Sequence, residues 1–194
     1  MTSLVVVFKK IARTCLMCIY RFEKWHTSPA ENRDYVKNII EILNKKKSRN
    51  SVVEIGCGLG DIIRKVDYKK KYYLDLSPNV LEAAKFLTIF SKFRSEDSFC
   101  VFDFVTDSFL HPVDAVVLVN WIHNIDPDTL KNRIDVIVND VLNESGFLIF
   151  DIVDENRNYQ FNHKISDLLV REDLVIREYE CNKFDRRIVV AEKK

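Results

Sequence analysis

The chain has 194 residues, 47% of them hydrophobic and 30% charged, with a formal net charge of +1. That balance excludes a disordered chain, and the length suits one domain with a sizeable core. A net charge so near zero points to no class of partner.

The distribution of charge says more than the sum. Residues 1–50 hold 11 Lys/Arg against 4 Asp/Glu, a local +7, so the remainder carries −6. Such a segment suits an anionic substrate, an acidic membrane surface or nucleic acid, or is a solvated helix face. The five cysteines (15, 18, 57, 100 and 181) are odd in number and lie in apolar contexts, so no disulfide framework is expected and a cytoplasmic setting fits. Cys15 and Cys18 match C-x-x-C without a second Cys or His pair nearby, and two buried small hydrophobes are expected there.

In chain order, Leu4, Phe8, Ile11, Cys15, Ile19 and Phe22 recur at helical spacing opposite Lys9, Arg13 and Lys24, which predicts an amphipathic helix. Charges interrupt it before any spanning length, and no small-residue cleavage pattern follows. Docking on its own domain is expected, with peripheral membrane contact as the alternative. Ser28, Pro29 and Glu31 read as a capping box opening a second helix through Tyr35, Ile39, Ile40 and Leu43. A strand over 51–55 runs into Gly56, Gly58 and Gly60, and then into a helix start at Asp61. A second strand covers 72–76, and Ser77 with Pro78 caps a helix. A third strand covers 99–102, a fourth 115–119, a helix starts at Asp126–Pro127, and a fifth strand covers 147–153. Alternating strands and helices predict a parallel sheet covered on both faces. Residues 174–181 and 187–191 are separated by a link too short for a crossover helix, so they are expected to be antiparallel neighbours.

Three of the chain's four glycines lie in Glu54-x-Gly56-x-Gly58-x-Gly60. Glycine lets a backbone turn sharply and approach a ligand closely. A nicotinamide loop wants a small residue at position 61, where Asp61 would repel a pyrophosphate, and the Lys of a P-loop is absent.

The pattern resembles motif I of the class I S-adenosylmethionine-dependent methyltransferases, over roughly residues 50–194. The resemblance implies an α/β, doubly wound, seven-stranded, mostly parallel Rossmann-like sheet with an antiparallel last strand. Residues 51–194 would form the methyltransferase domain and residues 1–50 an N-terminal helical cap. It further implies S-adenosylmethionine as cofactor, with S-adenosylhomocysteine as product and no metal. Asp75, at the end of the second strand, would hold the ribose hydroxyls, with Leu76 on adenine. Asp103 and Phe104 after the third strand would meet the adenine amine. Glu54, Gly56, Cys57, Gly58, Gly60 and Asn120 complete the cofactor set.

After the fourth strand, Asn120-Trp121-Ile122-His123 lacks the Asn/Asp-Pro-Pro-Tyr/Phe of amine-directed members and resembles the small-molecule branch. A small-molecule acceptor is expected, with a hydroxyl favoured and a sugar or glycan precursor as the guess. His123 is either the base for it or a structural histidine. Trp25, His26, Tyr35, Trp121 and His163 are the expected acceptor-side residues, and Asp151 and Asp154 either bind acceptor hydroxyls or end the strand. An RNA or protein methyltransferase docking through the basic segment, and a noncatalytic cofactor-binding protein, are the alternatives; no nucleic-acid partner is expected.

Overall fold

Seven strands form one sheet in the order β3-β2-β1-β4-β5-β7-β6. The computed structural model describes residues 2–109, 111–153, 158–181 and 186–194. In chain order the elements are α1 (Thr2–Tyr20), α2 (Asp34–Lys45), β1 (Ser51–Ile55), β2 (Lys70–Asp75), α3 (Pro78–Leu87), β3 (Glu96–Val101) and β4 (Val113–Leu118), then α4 (Pro127–Val136), β5 (Leu142–Val153), α5 (Ile165–Leu168), β6 (Leu174–Glu180) and β7 (Arg186–Lys193). β3, β2, β1, β4 and β5 are mutually parallel, while β7 runs antiparallel to both β5 and β6. The expected mostly parallel sheet with an antiparallel last strand is observed.

Strand periodicity builds two cores. Val53, Val116, Leu148 and Val189 face α4, whereas Val52, Val117, Ile149 and Val190 face α2, through Ile39 and Leu43. Each neighbour in sequence points to the opposite face, so both faces of the central strands are apolar and buried. Ser77 accepts from Val80 N–H, and Asp126 from Thr129 N–H at 3.0 Å, with Pro78 and Pro127 next in each helix. Both expected caps are therefore formed, and each satisfies one of the unpaired donors of a helix start.

Two helical expectations fail, and one crossover carries no helix among the described residues. Ser28 and Pro29 are extended, a 3-10 turn covers Ala30–Asn32, and α2 starts only at Asp34. Arg13 donates to the Ser28 carbonyl at 2.8 Å, a tertiary contact that holds the chain open where a capping box would close it. Behind the glycines there is only a 3-10 turn, Ile63–Lys65, because the chain must return to β2 within 14 residues of β1. Between β3 and β4 no helix occurs among the described residues, so the β1–β2–β3 side of one face is lined by a loop that includes Phe102 and Phe109.

The first helix is present, but its orientation departs from expectation. Arg13 is buried and Leu16, Met17 and Tyr20 pack towards Phe22, Leu59, Val80 and Ala83, while Leu4, Phe8, Ile11 and Ile19 are exposed. Cys15 and Cys18, expected in the core, are exposed as well. The helix docks through the side that carries Arg13, because that cation has a buried partner.

Candidate functional site

The strand order reverses between β1 and β4, and the glycine loop leaves the carboxyl end of β1 at that point, where open α/β sheets form a ligand crevice. Gly56, Gly58 and Gly60 have φ of 67°, 53° and 68°, a left-handed conformation costly for any residue with a Cβ. A Cβ on Gly56 would lie 2.3 Å from Trp121 Nε1, and one on Gly58 would lie 2.9 Å from His26 Nδ1. A Cβ on Gly60 would meet the Tyr73 ring at 2.8 Å. Gly56 and Gly58 thus admit side chains from the site's cover, whereas Gly60 serves packing against β2.

Above the loop lie two adjoining cavities. One, of about 270 Å³, is lined by Arg33, Tyr35, Glu54, Cys57, Asp61 and Asn120, among others. The other, of about 250 Å³, is lined by Asp75, Leu76, Phe102, Asp103, Phe104 and Ile125, among others. Trp25, Gly56 and Trp121 line both, so the two indoles divide one cleft into a more polar and a more apolar half. Trp121 is pinned by its Nε1–H, which donates to the Ile55 carbonyl at 2.7 Å, and Phe104 meets its ring edge-on at 4.9 Å between centroids. Every expected cofactor residue except Gly60 lines one half or the other.

Three carboxyl groups from three successive strand ends face this cleft. Glu54 is buried and accepts from Ile63 N–H at 3.0 Å; burial pushes its carboxyl up to about 8, so it is largely protonated at neutral pH. Asp75 accepts from Gly58 N–H at 2.8 Å and Ser77 N–H at 3.0 Å, which ties the β2 end to the glycine loop. Burial raises its pKa, against the pull of those backbone donors. Asp103 accepts from Val105 N–H at 2.8 Å and closes its own turn.

The cover is held by Asp61, the residue that disfavours a dinucleotide. Its buried carboxylate pairs with Arg13 and Arg33 and lies 3.7 Å from Arg64. Burial alone would raise its pKa, but the Arg13 hydrogen bond and the surrounding cations hold it below the usual range. The 3-10 turn Lys24–Thr27 therefore rests on the loop, with His26 stacked on Trp25 at 3.4 Å between centroids. Burial lowers His26 to about 4, so its imidazole is neutral. The roles of Arg13 and Arg33 were not evident from sequence; the only signal was an arginine on the polar side of an otherwise apolar helix.

His123, the expected base, is wholly buried and lines neither cavity. Its Nε2 lies 3.4 Å from Asp151 Oδ2, and its ring stacks on Tyr159 at 4.2 Å. Asp151 also pairs with Arg186 and accepts from Asn120 N–H at 2.7 Å, supporting the Asn120 corner at φ 79°. Proton transfer needs hydrogen-bond reach of the reacting group, and in this structure the His123 ring is turned away from both cavities towards Asp151. His163, expected on the acceptor side, is buried with Nε2 3.1 Å from the Ile122 carbonyl and lines neither half. Trp25, His26, Tyr35 and Trp121 do line the cleft. Asp154 lies outside the described residues. No group of three or more His, Cys, Asp or Glu that could hold a metal occurs among the described residues.

No protein family and no curated protein matches the sequence. Solved structures do match. The N-methyltransferase NodS from Bradyrhizobium japonicum WM9, in complex with S-adenosylhomocysteine, superposes with a TM-score of 0.69 at 17% identity, covering 83% of this chain and 86% of its own. An S-adenosylmethionine-dependent methyltransferase from Clostridium acetobutylicum gives 0.65 at 16% identity, covering 96% and 99%. An O-methyltransferase family 2 protein from Planctomyces limnophilus, complexed with apigenin, gives 0.66 at 16%, covering 85% and 60%. Strand order, loop position and these superpositions agree: the chain has the Rossmann-like fold of the class I S-adenosylmethionine-dependent methyltransferases.

Proposed function

We propose that the chain is an S-adenosylmethionine-dependent methyltransferase acting on a small-molecule acceptor. The observation that carries this reading is the cleft itself, in which Glu54, Asp75 and Asp103 from three strand ends share one glycine-lined crevice. The donor set fits the cofactor on chemical grounds. The apolar half, with Leu76, Phe102 and Phe104 beside Asp75 and Asp103, suits a nucleoside whose hydroxyls donate to a carboxylate. The other half, with Glu54 and the backbone of the glycine loop, suits an ammonium and a carboxylate. When bound, the cofactor would supply an electrophilic methyl group on a sulfonium. A neutral His26 adds no positive charge next to that sulfonium.

The protein's contribution would be alignment, which can be worth several kcal/mol when acceptor and donor are held in line. Trp25, His26, Tyr35 and Trp121 are the acceptor-side candidates, and a hydroxyl of a small molecule is our choice of acceptor. A macromolecular acceptor draws less support than the basic segment suggested. Arg13 and Arg33 are committed to Asp61, Lys9 to Glu31 and Lys46 to Glu192. The five free cysteines support a cytoplasmic setting.

Titration calorimetry with S-adenosylmethionine and S-adenosylhomocysteine tests the reading. Both should bind one site per chain, and Asp75→Ala should weaken binding roughly tenfold to a hundredfold, as expected for a lost charge-assisted contact. Absence of binding by the intact chain sinks the proposal; unchanged affinity in Asp75→Ala sinks the ribose assignment. Incubation with methyl-labelled cofactor and fractionated extract then identifies the acceptor.

A further inference from the structure

Residues 1–22 contain Lys9, Lys10, Arg13 and Arg21 and no acidic residue. Along α1, Leu4, Val7, Phe8, Ile11 and Ile19 are between 51% and 70% exposed, and Cys15 and Cys18 lie exposed among them. Their spacing of three and four places them on one side of the helix, a stripe about 22 Å long at about 1.5 Å per residue. At the far end, Tyr20 approaches Phe86 at 6.3 Å between ring centroids, and Phe86, Ile89 and Phe90 are exposed too. Single exposed apolar residues are ordinary, but a continuous exposed stripe of this kind is characteristic of an interaction surface.

The stripe cannot simply turn inward. Arg13, on the other side of α1, is buried against Asp61 and the carbonyls of His26 and Ser28, and Lys9 pairs with Glu31. Asn79 also donates to the Arg21 carbonyl at 3.3 Å. Rotation would strip the Asp61 carboxylate of a partner, so the helix is clamped with its apolar side facing outward.

We propose that this face of α1 is a docking surface for an anionic phospholipid bilayer, on which the helix lies flat with its stripe at the acyl boundary. Charge complementarity selects this occupant. Lys10 and Arg21 are exposed near the stripe and form no ion pair among the described residues. A second copy packing α1 on α1 would bring together two helices that carry only positive charge, whereas an anionic surface attracts them. No helix among the described residues is long and apolar enough to cross a membrane, so the contact is peripheral. Because α1 also holds the cover of the cleft through Arg13, docking would act directly on the element that closes the site.

Co-sedimentation of the full chain with vesicles tests this independently of any methyl transfer. Vesicles of phosphatidylcholine with phosphatidylserine should bind the protein, binding should weaken with salt, and phosphatidylcholine alone should bind poorly. The exposed double variant Phe8→Glu/Ile11→Glu should lose at least about tenfold in partitioning while keeping its melting temperature. Lys10→Gln and Arg21→Gln should each lose roughly fivefold. Absence of binding to the anionic vesicles, or unaltered binding of the double variant, overturns the proposal. So does equal binding to both vesicle types. A dimer in sedimentation velocity that Phe8→Glu/Ile11→Glu dissociates, without vesicle binding, assigns the face to a second copy instead.

Discussion

Arg13 of α1 and Asp61 of the glycine loop, 48 residues apart in sequence, form a buried two-pronged ion pair with Nη1 3.0 Å from Oδ2. Through it α1 and the glycine loop are held together, and the conformation of residues 21–33 becomes a property of the cleft.

Removing Arg13 should therefore cost both stability and site integrity. Loss of one partner from a buried pair is worth about 3–5 kcal/mol when the other charge is stranded. Arg33 and Arg64 remain beside Asp61, so Arg13→Ala should cost about 1–3 kcal/mol in urea unfolding. Asp61→Asn should cost more, because three cations lose their counter-charge. In a double-mutant cycle the two changes should be strongly non-additive. The folded-state pKa of Asp61 is lowered, so its contribution is present above the ordinary aspartate pKa and is lost as pH falls through the folded value. Asp61→Asn should flatten that acid limb, and an unchanged limb would refute the clamp.

The glycines should separate by role. Gly56→Ala places a Cβ against Trp121 at the junction of the two cavities, and Gly60→Ala places one against Tyr73, away from both. Each should cost about 1–2 kcal/mol for the left-handed backbone alone. Only Gly56→Ala should also weaken S-adenosylhomocysteine binding beyond what its stability loss explains. Equal effects on affinity would mean that Gly60 belongs to the site as well.

Local chemistry makes much of this fold legible in the sequence. Ser77–Pro78 and Asp126–Pro127 start helices because each cap side chain is taken up by its own helix's first turn. Ser28–Pro29 carries the same signature and fails, because Arg13 holds the Ser28 carbonyl and Arg33 is drawn to Asp61. The position of the acids at 54, 75 and 103 along one cleft is legible because strands finish where apolar runs stop. The burial of His123 is not legible, because a residue just past a strand end can turn into the core, and here it lies against Asp151, which Arg186 also holds. The α1 stripe misleads in the other direction: apolar periodicity indicates a face but not what covers it.

Cofactor affinity should depend on pH through Glu54. Its folded pKa of about 8 means that the free protein holds a proton there at neutral pH. A bound ammonium group favours the carboxylate, so binding releases that proton, and affinity should rise with pH, approaching tenfold per unit below about 8. Asp75, also raised by burial, adds a dependence of the same sign, while His26 at about 4 titrates below the working range. The stability of the free protein should move the opposite way. A raised carboxyl contributes fully below its unfolded pKa, and that contribution is lost as pH rises towards the folded value. Calorimetry in buffers of different ionisation enthalpy should register the released proton, and Glu54→Gln should abolish it. Proton release that survives in Glu54→Gln would assign the titration elsewhere.

His123 should prove a structural residue whose loss is felt in folding before chemistry. It is enclosed by Asp151, Tyr159 and His163, and its neighbour Asp151 holds the Asn120 corner through the backbone. His123→Ala leaves a cavity and removes a partner from a buried carboxylate, which should cost about 2–4 kcal/mol. Arg186 stays on Asp151, so the Asn120 corner should survive and S-adenosylhomocysteine affinity should remain within a few-fold. Once an acceptor is known, turnover should fall in proportion to the folded fraction, with the shape of the pH–rate profile unchanged. A base would behave differently: its removal would erase the acidic limb of that profile while leaving the melting temperature nearly intact. That second pattern would return His123 to the chemistry and imply that the Asp151 cluster opens towards the cleft during turnover.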